Sequence, residues 1–160
     1  MGVNQRDEVK MSPAEADAFL HQERTTTMCS IHPDGSIHAV AMWYAFLDGT
    51  LAVETKRKSQ KVQNLRRDPR LTFLVEAGDK YANLRGVELV GRARIVEEPG
   101  PVWEFGVSMW ERYVSPYSDE QQQLVEMMMR NRVVVAIDVT RVVSWDHRKL
   151  RPGDPGLSRP

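Results

Sequence analysis

Two hydroxyls and an ammonium stand close together in Thr55-x-x-x-Ser59-x-Lys61, where a strand ending Glu54-Thr55 gives way to a helix opening at Ser59. The first amides of a helix have no intrahelical acceptor, and with the aligned peptide dipoles they attract anions. A phosphate set there would accept hydrogen bonds from Thr55, Ser59 and those amides, while Lys61 and a cation of the intervening loop neutralise it. The neighbourhood is charged to match. Between Thr55 and Arg70 the chain carries Lys56, Arg57, Lys58, Lys61, Arg66, Arg67 and Arg70 against Asp68 alone, a local +6 in a 160-residue chain whose 22 basic and 22 acidic residues sum to +0. Charge runs by themselves are more often solvated turns. The hydroxyls at both ends shift this one toward a phosphate site.

The elements that must hold these residues are read from turns and periodicity. Ser12-Pro13-Ala14-Glu15 starts a helix, with Ser12 as N-cap, Pro13 in the first turn and Glu15 completing a capping box, running to about Gln22 or Glu23. Thr25 to Ile31 is predicted as a strand. Pro33-Asp34-Gly35 then turns the chain into the apolar run Ile37 to Leu47, and Asp48-Gly49 turns it again into Thr50 to Thr55. Two turns predict a three-stranded meander, with the third strand returning along the second. Ser59 to Arg67 is a short helix ended by Asp68-Pro69, Leu71 to Ala77 a fourth strand, and Val87 to Val96 a fifth in which Gly91 marks a bulge or a close backbone approach. Val102 to Val114 and Asp119 to Arg130 read as helices, and Arg132 to Trp145 as a last strand with a kink or turn at Asp138-Val139-Thr140-Arg141. The fold class is mainly β with peripheral helices (α+β), six to seven antiparallel strands forming a small barrel. One domain is expected over residues 11–150, between a flexible N-terminus at 1–10 and a flexible Pro- and Gly-rich tail at 151–160.

The phosphate motif, followed by Asn64-Leu65-x-x-Asp68-Pro69-Arg70-Leu71, resembles the split β-barrel flavoproteins of the pyridoxamine 5′-phosphate oxidase type. Trp43, the stretch Leu84-Arg85-Gly86-Val87-Glu88-Leu89-Val90-Gly91-Arg92-Ala93 and the terminal Val142-Val143-Ser144-Trp145-Asp146-His147-Arg148-Lys149 look more closely like the deazaflavin-dependent branch, oxidoreductases that use coenzyme F420. From about Pro13 to Leu150 the resemblance covers nearly the whole ordered chain. It implies an FMN-binding-like split β-barrel with the cofactor phosphate at Thr55, Ser59 and Lys61, and with Arg57 and Lys58 available for it or for an anionic tail. The ring would lie against the backbone of His38 to Trp43, with Val40, Ala41 and Met42 along its edge. A homodimer is implied as well, the partner chain contributing around Tyr81 and around Arg85, Gly86 and Val87. The implied activity is hydride transfer from reduced F420 to a small unsaturated organic substrate, held over the ring by Trp43, Met42 and the aromatics Trp110 and Tyr113. FMN-dependent oxidoreduction on the same fold is the alternative. Three positions depart from the pyridoxamine phosphate oxidases proper. Gly86 stands where they set a glutamine against the flavin, Asp146-His147-Arg148-Lys149 replaces their arginine/histidine substrate-binding tail, and Gln60 stands at a commonly basic position. Vitamin B6 oxidation is therefore not expected.

A cofactor that carries the hydride needs no side-chain nucleophile, and the sequence has no G-x-S-x-G elbow, G-x-G-x-x-G, P-loop or H-E-x-x-H. His32 and His38 flank the Pro33-Asp34-Gly35 turn and could face one another. Without a nearby carboxylate pair they make a poor metal site, and no metal is expected. His21 reads as a helix C-terminal cation, His147 as a surface or interface residue or a general acid, and Cys29 as an inert thiol in mid-strand. Trp103, Trp110 and Met127-Met128-Met129 read as core or dimer packing, with one face lidding a pocket. The rival class is a binding module, since a small barrel with a basic loop could hold RNA, a tetrapyrrole or another anionic ligand, a flavin included, without turnover. Aromatics interleaved with the cations would mark an RNA site, and Lys56 to Arg70 has none. Zero net charge argues against a general nucleic-acid binder. A lone Cys29 excludes an intramolecular disulfide framework and points to a reducing compartment, the cytoplasm, and no apolar run is long enough to span a bilayer.

Overall fold

The computed structural model describes residues 5–150, so the expected tail at 151–160 and the first four residues lie outside the described residues. Seven strands form one antiparallel sheet in the order β2-β1-β5-β6-β7-β4-β3, and the sheet curls into a split β-barrel flanked by helices. The strands are β1 (Thr25–Ile31), β2 (Ile37–Trp43), β3 (Ala45–Leu47), β4 (Thr50–Lys56), β5 (Arg70–Ala77), β6 (Arg85–Val96) and β7 (Arg132–Asp146). The helices are α1 (Gln5–Val9), α2 (Pro13–Gln22), α3 (Gln60–Arg67), α4 (Pro99–Tyr113) and α5 (Gln122–Met129). Helix α2 begins as its sequence predicts: Glu15 N–H donates to Ser12 Oγ at 3.2 Å, and Ser12 N–H donates to the Glu15 carboxylate at 2.6 Å. Helix α1 is a departure from the expected loose N-terminus, and its Val9 is buried, with the helix lying on the end of β7.

The predicted meander is not formed. β1 and β2 do make the first hairpin, and β3 and β4 a second around Asp48-Gly49, both at positive φ as a tight two-residue hairpin turn requires. But the apolar run Ile37–Leu47 is broken at Tyr44, which is fully buried and leaves the ladder. Its N–H donates to the Tyr113 hydroxyl at 3.0 Å, its carbonyl faces the same hydroxyl at 2.7 Å, and its own phenol donates to the Leu20 and Glu23 carbonyls at the end of α2. A residue with its backbone groups satisfied off the sheet can redirect the chain. β4 therefore pairs with β7 rather than β2, and β1 pairs with β5.

Two apolar cores meet across β7. Residues Val133 to Ile137 are buried on both faces, because Val133, Val135 and Ile137 alternate with Val134 and Ala136 along a strand covered on both sides. The main core, with Phe19, Met28, Phe73, Val75 and Val87, lies on one side; Phe105, Met109, Val125 and Met129 of α4 and α5 lie on the other. The expected irregularity around residue 140 is a β-bulge inside a continuous strand. Val90 pairs with Arg141 and Gly91 with Val139, so Thr140 is the extra residue, its hydroxyl donating to the Val90 carbonyl at 3.1 Å. Gly91 is required there: a Cβ would sit 2.2 Å from the Asp138 carbonyl oxygen.

Candidate functional site

The split in the barrel is the cleft. β2 pairs only with β1, and β4 only with β3 and β7, so the outer edge of β2 faces the end of β4 across a gap of about 410 Å³. Val40, Ala41, Met42 and Trp43 wall one side. Glu54, Thr55, Lys56, Ser59, Lys61 and Arg132 wall the other. Had β4 returned along β2, ladder bonds would occupy this space.

On the anion side, the buried Thr55 hydroxyl donates to Ser59 Oγ at 3.3 Å. Ser59 is the N-cap of α3 but its side chain caps no amide, and the first intrahelical bond is Gln63 N–H to the Ser59 carbonyl at 3.1 Å. The amides of Gln60, Lys61 and Val62 precede that bond and have no helical acceptor. Half-buried Lys61 is held below the ordinary lysine range by desolvation, with the Glu54 carboxylate pulling the other way. Glu54 is itself engaged by the Arg132 guanidinium. Three cations and one carboxylate leave a net positive cleft that suits a phosphate.

Lys56 and Arg132 also line a second groove of about 550 Å³, with Arg57, Lys58, Arg130 and the methionines Met127 and Met128. Arg57 and Lys58 thus lie beyond the phosphate cleft rather than in it. Arg57 is bonded at 2.6 Å to Glu97, whose carboxylate also receives Arg66 at 2.9 Å, and its N–H donates to the Asn131 carbonyl at 3.0 Å. The two cavities share Lys56 and Arg132 in their linings, and both are lined mainly by cations on that side.

The ring side is an edge strand whose outward backbone N–H and C=O groups have no strand partner. A planar heterocycle with donors and acceptors along its rim fits such an edge. His38 lies on β2 but does not line the cleft: its ring lies against His32, with centroids 4.8 Å apart, and its buried Nδ1 has no hydrogen-bond partner. Burial, then the neighbouring His32 and Lys61, pushes its pKa down. No group of three or more metal-ligating side chains occurs among the described residues.

Of the two expected pocket aromatics, Tyr113 stacks flat on Trp43 at 4.6 Å, whereas Trp110 packs against the α4/α5 core with Nε1 donating to Ser115 at 3.2 Å. Tyr81, Arg85, Gly86 and Val87 line no part of this cleft. Tyr81 packs on His147, whose Nδ1 donates to the Tyr81 carbonyl at 2.8 Å, and Arg85 lies over the Phe19 ring. The Val87 side chain is fully buried in its own core, so what this position could offer across an interface is backbone. At Gly86 a Cβ would stand 2.1 Å from the Trp145 ring, so a glutamine there would require the indole to move. Glu54 and Arg132 were not anticipated. Lys56 opposes Arg132 in the β4–β7 register, a pairing hidden once β4 is assigned to β2. Cys29 is half-buried in mid-strand, its thiol pushed up by burial and then by Glu88, which fits an unreactive role.

Residues 12–146 match the pyridoxamine 5′-phosphate oxidase family, and the chain belongs to it. Among solved structures it is similar to a conserved hypothetical protein from Mycobacterium tuberculosis, at 53% identity over 92% of each chain with a TM-score of 0.88. It is also similar to an F420 reductase, at 25% identity over 82% of this chain and 98% of that one, with a TM-score of 0.62. A heme storage protein from Vibrio cholerae shares the fold at 11% identity, over 82% of this chain and 94% of that one, with a TM-score of 0.65. No curated protein matches. The family includes oxidoreductases, and split barrels of this kind hold flavins, F420 or heme in different members. Among the described residues no helix is long and apolar enough to cross a membrane.

Proposed function

We propose that the protein is a cytoplasmic oxidoreductase that uses reduced coenzyme F420 to transfer hydride to a small unsaturated organic substrate. The observation that carries this reading is the open end of the phosphate cleft. A terminal phosphate monoester, as in FMN, needs a closed cup, whereas a phosphodiester with an anionic extension needs somewhere to continue. Lys56 and Arg132 line both the cleft and a neighbouring groove that adds Lys58 and Arg130, which offers such an extension both space and charge. When bound, the deazaflavin would supply the hydride chemistry. The chain's own residues would bind and orient it: Thr55, Ser59 and Lys61 at the phosphate, the free edge of β2 at the ring, and Trp43 at the mouth. Titration of the purified protein with F420 and with FMN, followed by absorbance and fluorescence, tests the assignment. Tight F420 binding and consumption of reduced F420 by unsaturated acceptors are expected. Copurified FMN with no response to F420 sinks it, and a spectral shift without turnover marks a carrier.

A homodimer belongs to the same proposal. The sheet face carrying Ala39, Ala41, Thr27, Cys29, Thr72, Leu74, Val90 and Val143 is half-buried or exposed, and the last third of β7 exposes Val139 and Val142 as well. Its few charges, Glu88 and Arg141 among them, leave a broad apolar surface that includes Ala41 and Trp43 of the cleft. A second copy seated there would cover it and bring Tyr81 and Arg85 toward a neighbouring site. Sedimentation at the monomer mass would remove this part of the reading.

A further inference from the structure

The mouth of the cleft carries an exposed tryptophan that is nonetheless held in place. Trp43 is 60% exposed, at the last position of the edge strand β2, where neither face of the strand is fully covered. An indole in that setting would ordinarily sample several rotamers. Here it lies flat on Tyr113, with the ring planes 6° apart. Tyr113 is in turn fixed by its hydroxyl, which accepts from Tyr44 N–H at 3.0 Å and has the Tyr44 and Arg24 carbonyls at 2.7 and 2.6 Å, its single proton going to one of them. The next residue back, Arg112, anchors the same helix end: its guanidinium sits over the Tyr44, Phe46 and Tyr113 rings and donates to the Leu20 and Glu23 carbonyls. The last turn of α4 is therefore clamped to the point where β2 breaks into β3.

We infer that Tyr113 is a positioning residue rather than a substrate contact, acting through Trp43 to set a rigid aromatic wall against which the planar ring of the ligand stacks. The inference rests on the reading of the cleft as a deazaflavin site. Its chemistry is separable from that of the phosphate end: Tyr113 touches none of Thr55, Ser59 or Lys61, so it acts on ring affinity without acting on anion affinity. The OH bonds place the Tyr113 ring, and the ring places the indole. Stacking on a wall already fixed avoids the entropy loss of ordering a mobile side chain at binding.

Three proteins test this: wild type, Tyr113→Leu, which removes ring and hydroxyl, and Tyr113→Phe, which keeps the ring. Time-resolved anisotropy of the Trp43 emission, taken as the difference between each protein and its Trp43→Phe counterpart, is read first without ligand. Trp43 should tumble with the whole protein in wild type and gain fast local motion in Tyr113→Leu. Affinities for F420, for FMN and for inorganic phosphate are then compared. Tyr113→Leu should weaken ring-bearing ligands about tenfold and leave phosphate unchanged, and Tyr113→Phe, which keeps the stacking ring but loses the hydroxyl bonds that place it, should recover only part of the loss. Equal weakening of F420 and phosphate would mean a general structural role and overturn the inference, as would an immobile Trp43 in Tyr113→Leu. Failure of both F420 and FMN to bind wild type instead removes the deazaflavin reading, while the anisotropy still decides whether Tyr113 fixes Trp43.

Discussion

The β6–β7 ladder and the gap between β2 and β4 are opposite kinds of barrel wall, and the contrast shows where a ligand site can form. Along β6 and β7 the ladder runs from Arg85 to Val96 with one bulge, and the paired strands close one wall of the barrel. Across the barrel, β2 and β4 stand beside each other without pairing, and at the break between β2 and β3 Tyr44 carries its backbone bonds to Tyr113. The ladder satisfies most of the backbone groups between its two strands internally, so its main contribution is to stability. The gap leaves a strand edge, a helix N-terminus and several cations facing one space, so it suits a ligand and contributes little to stability. Substitutions should sort accordingly: ladder changes move unfolding free energy, and cleft changes move affinity.

The largest expected effect lies in the ladder. Gly91→Val forces a branched side chain against the Asp138 carbonyl oxygen, 2.2 Å from the Cβ position, with Ile137 alongside. A loss of about 3 kcal/mol of unfolding free energy is expected, in the range of overpacked core positions. Urea denaturation measures it. The fraction still folded should bind F420 with wild-type affinity, and a selective loss of affinity would break the division between the two regions.

Second comes the phosphate end. Ser59→Ala combined with Lys61→Ala removes one hydroxyl and one ammonium that face an incoming anion, and charge-assisted bonds of this kind contribute about 1.5–3 kcal/mol each. F420 affinity should fall about a hundredfold, by calorimetry, with unfolding free energy changed by less than about 1 kcal/mol. Lys61 is half-buried and penalised for its charge, so its removal takes away a cost of folding rather than a support. Unchanged affinity in this double variant places the anion elsewhere.

Much of this contrast is written in local sequence, and the part that is not has one cause. Ser12-Pro13-Ala14-Glu15, the Asp48-Gly49 turn, the Gly91 irregularity and Thr55-x-x-x-Ser59-x-Lys61 each act through neighbours a few residues away, and each appears where local chemistry puts it. The break at Tyr44 depends on a hydroxyl 69 residues further along the chain. Nothing in Trp43-Tyr44-Ala45 is a turn residue, so an apolar run that reads as one strand is two. With the run split there, β4 takes β7 as its long partner, Arg132 arrives beside Lys56, and the cleft lies between β2 and β4, none of which a single uninterrupted strand would suggest.

A smaller effect should appear in the pH dependence of binding. Lys61 in the free protein titrates below the ordinary lysine value because burial disfavours its charge. Sign follows from the direction: its protonated form is disfavoured by folding, so the associated cost is present at neutral pH and relieved as pH rises through the lowered pKa. A bound phosphate reverses the preference and draws a proton onto Lys61. Affinity should therefore fall as pH rises through the free-protein pKa, with proton uptake visible as a buffer-dependent heat. Lys61→Arg, always charged, should flatten the alkaline limb. A limb that persists in the arginine variant assigns the titration to another group.

The smallest effect concerns the joint between the two regions. Asp68 ends α3, its N–H donating to the Asn64 carbonyl at 2.8 Å, and its carboxylate takes two bonds from the Arg70 side chain as β5 begins. Those bonds, with the Arg70 N–H, hold its pKa at about 2 against 3.8 for a free carboxyl. A depressed folded pKa means a stabilising contribution that is present above pH 3.8 and is lost as pH falls toward 2. Asp68 is half-buried but its partner Arg70 is exposed, so water and salt screen the contribution and the shift in melting temperature should be slight. The informative quantity is its pH dependence. Wild type should melt above Asp68→Asn at pH 5, the difference should shrink through that window, and added salt should reduce it further. F420 affinity should be the same in both proteins at neutral pH. A constant difference from pH 5 to pH 2 would mean that the asparagine acts through the backbone turn between α3 and β5, and that the Asp68–Arg70 pair does not hold the ladder to the cleft.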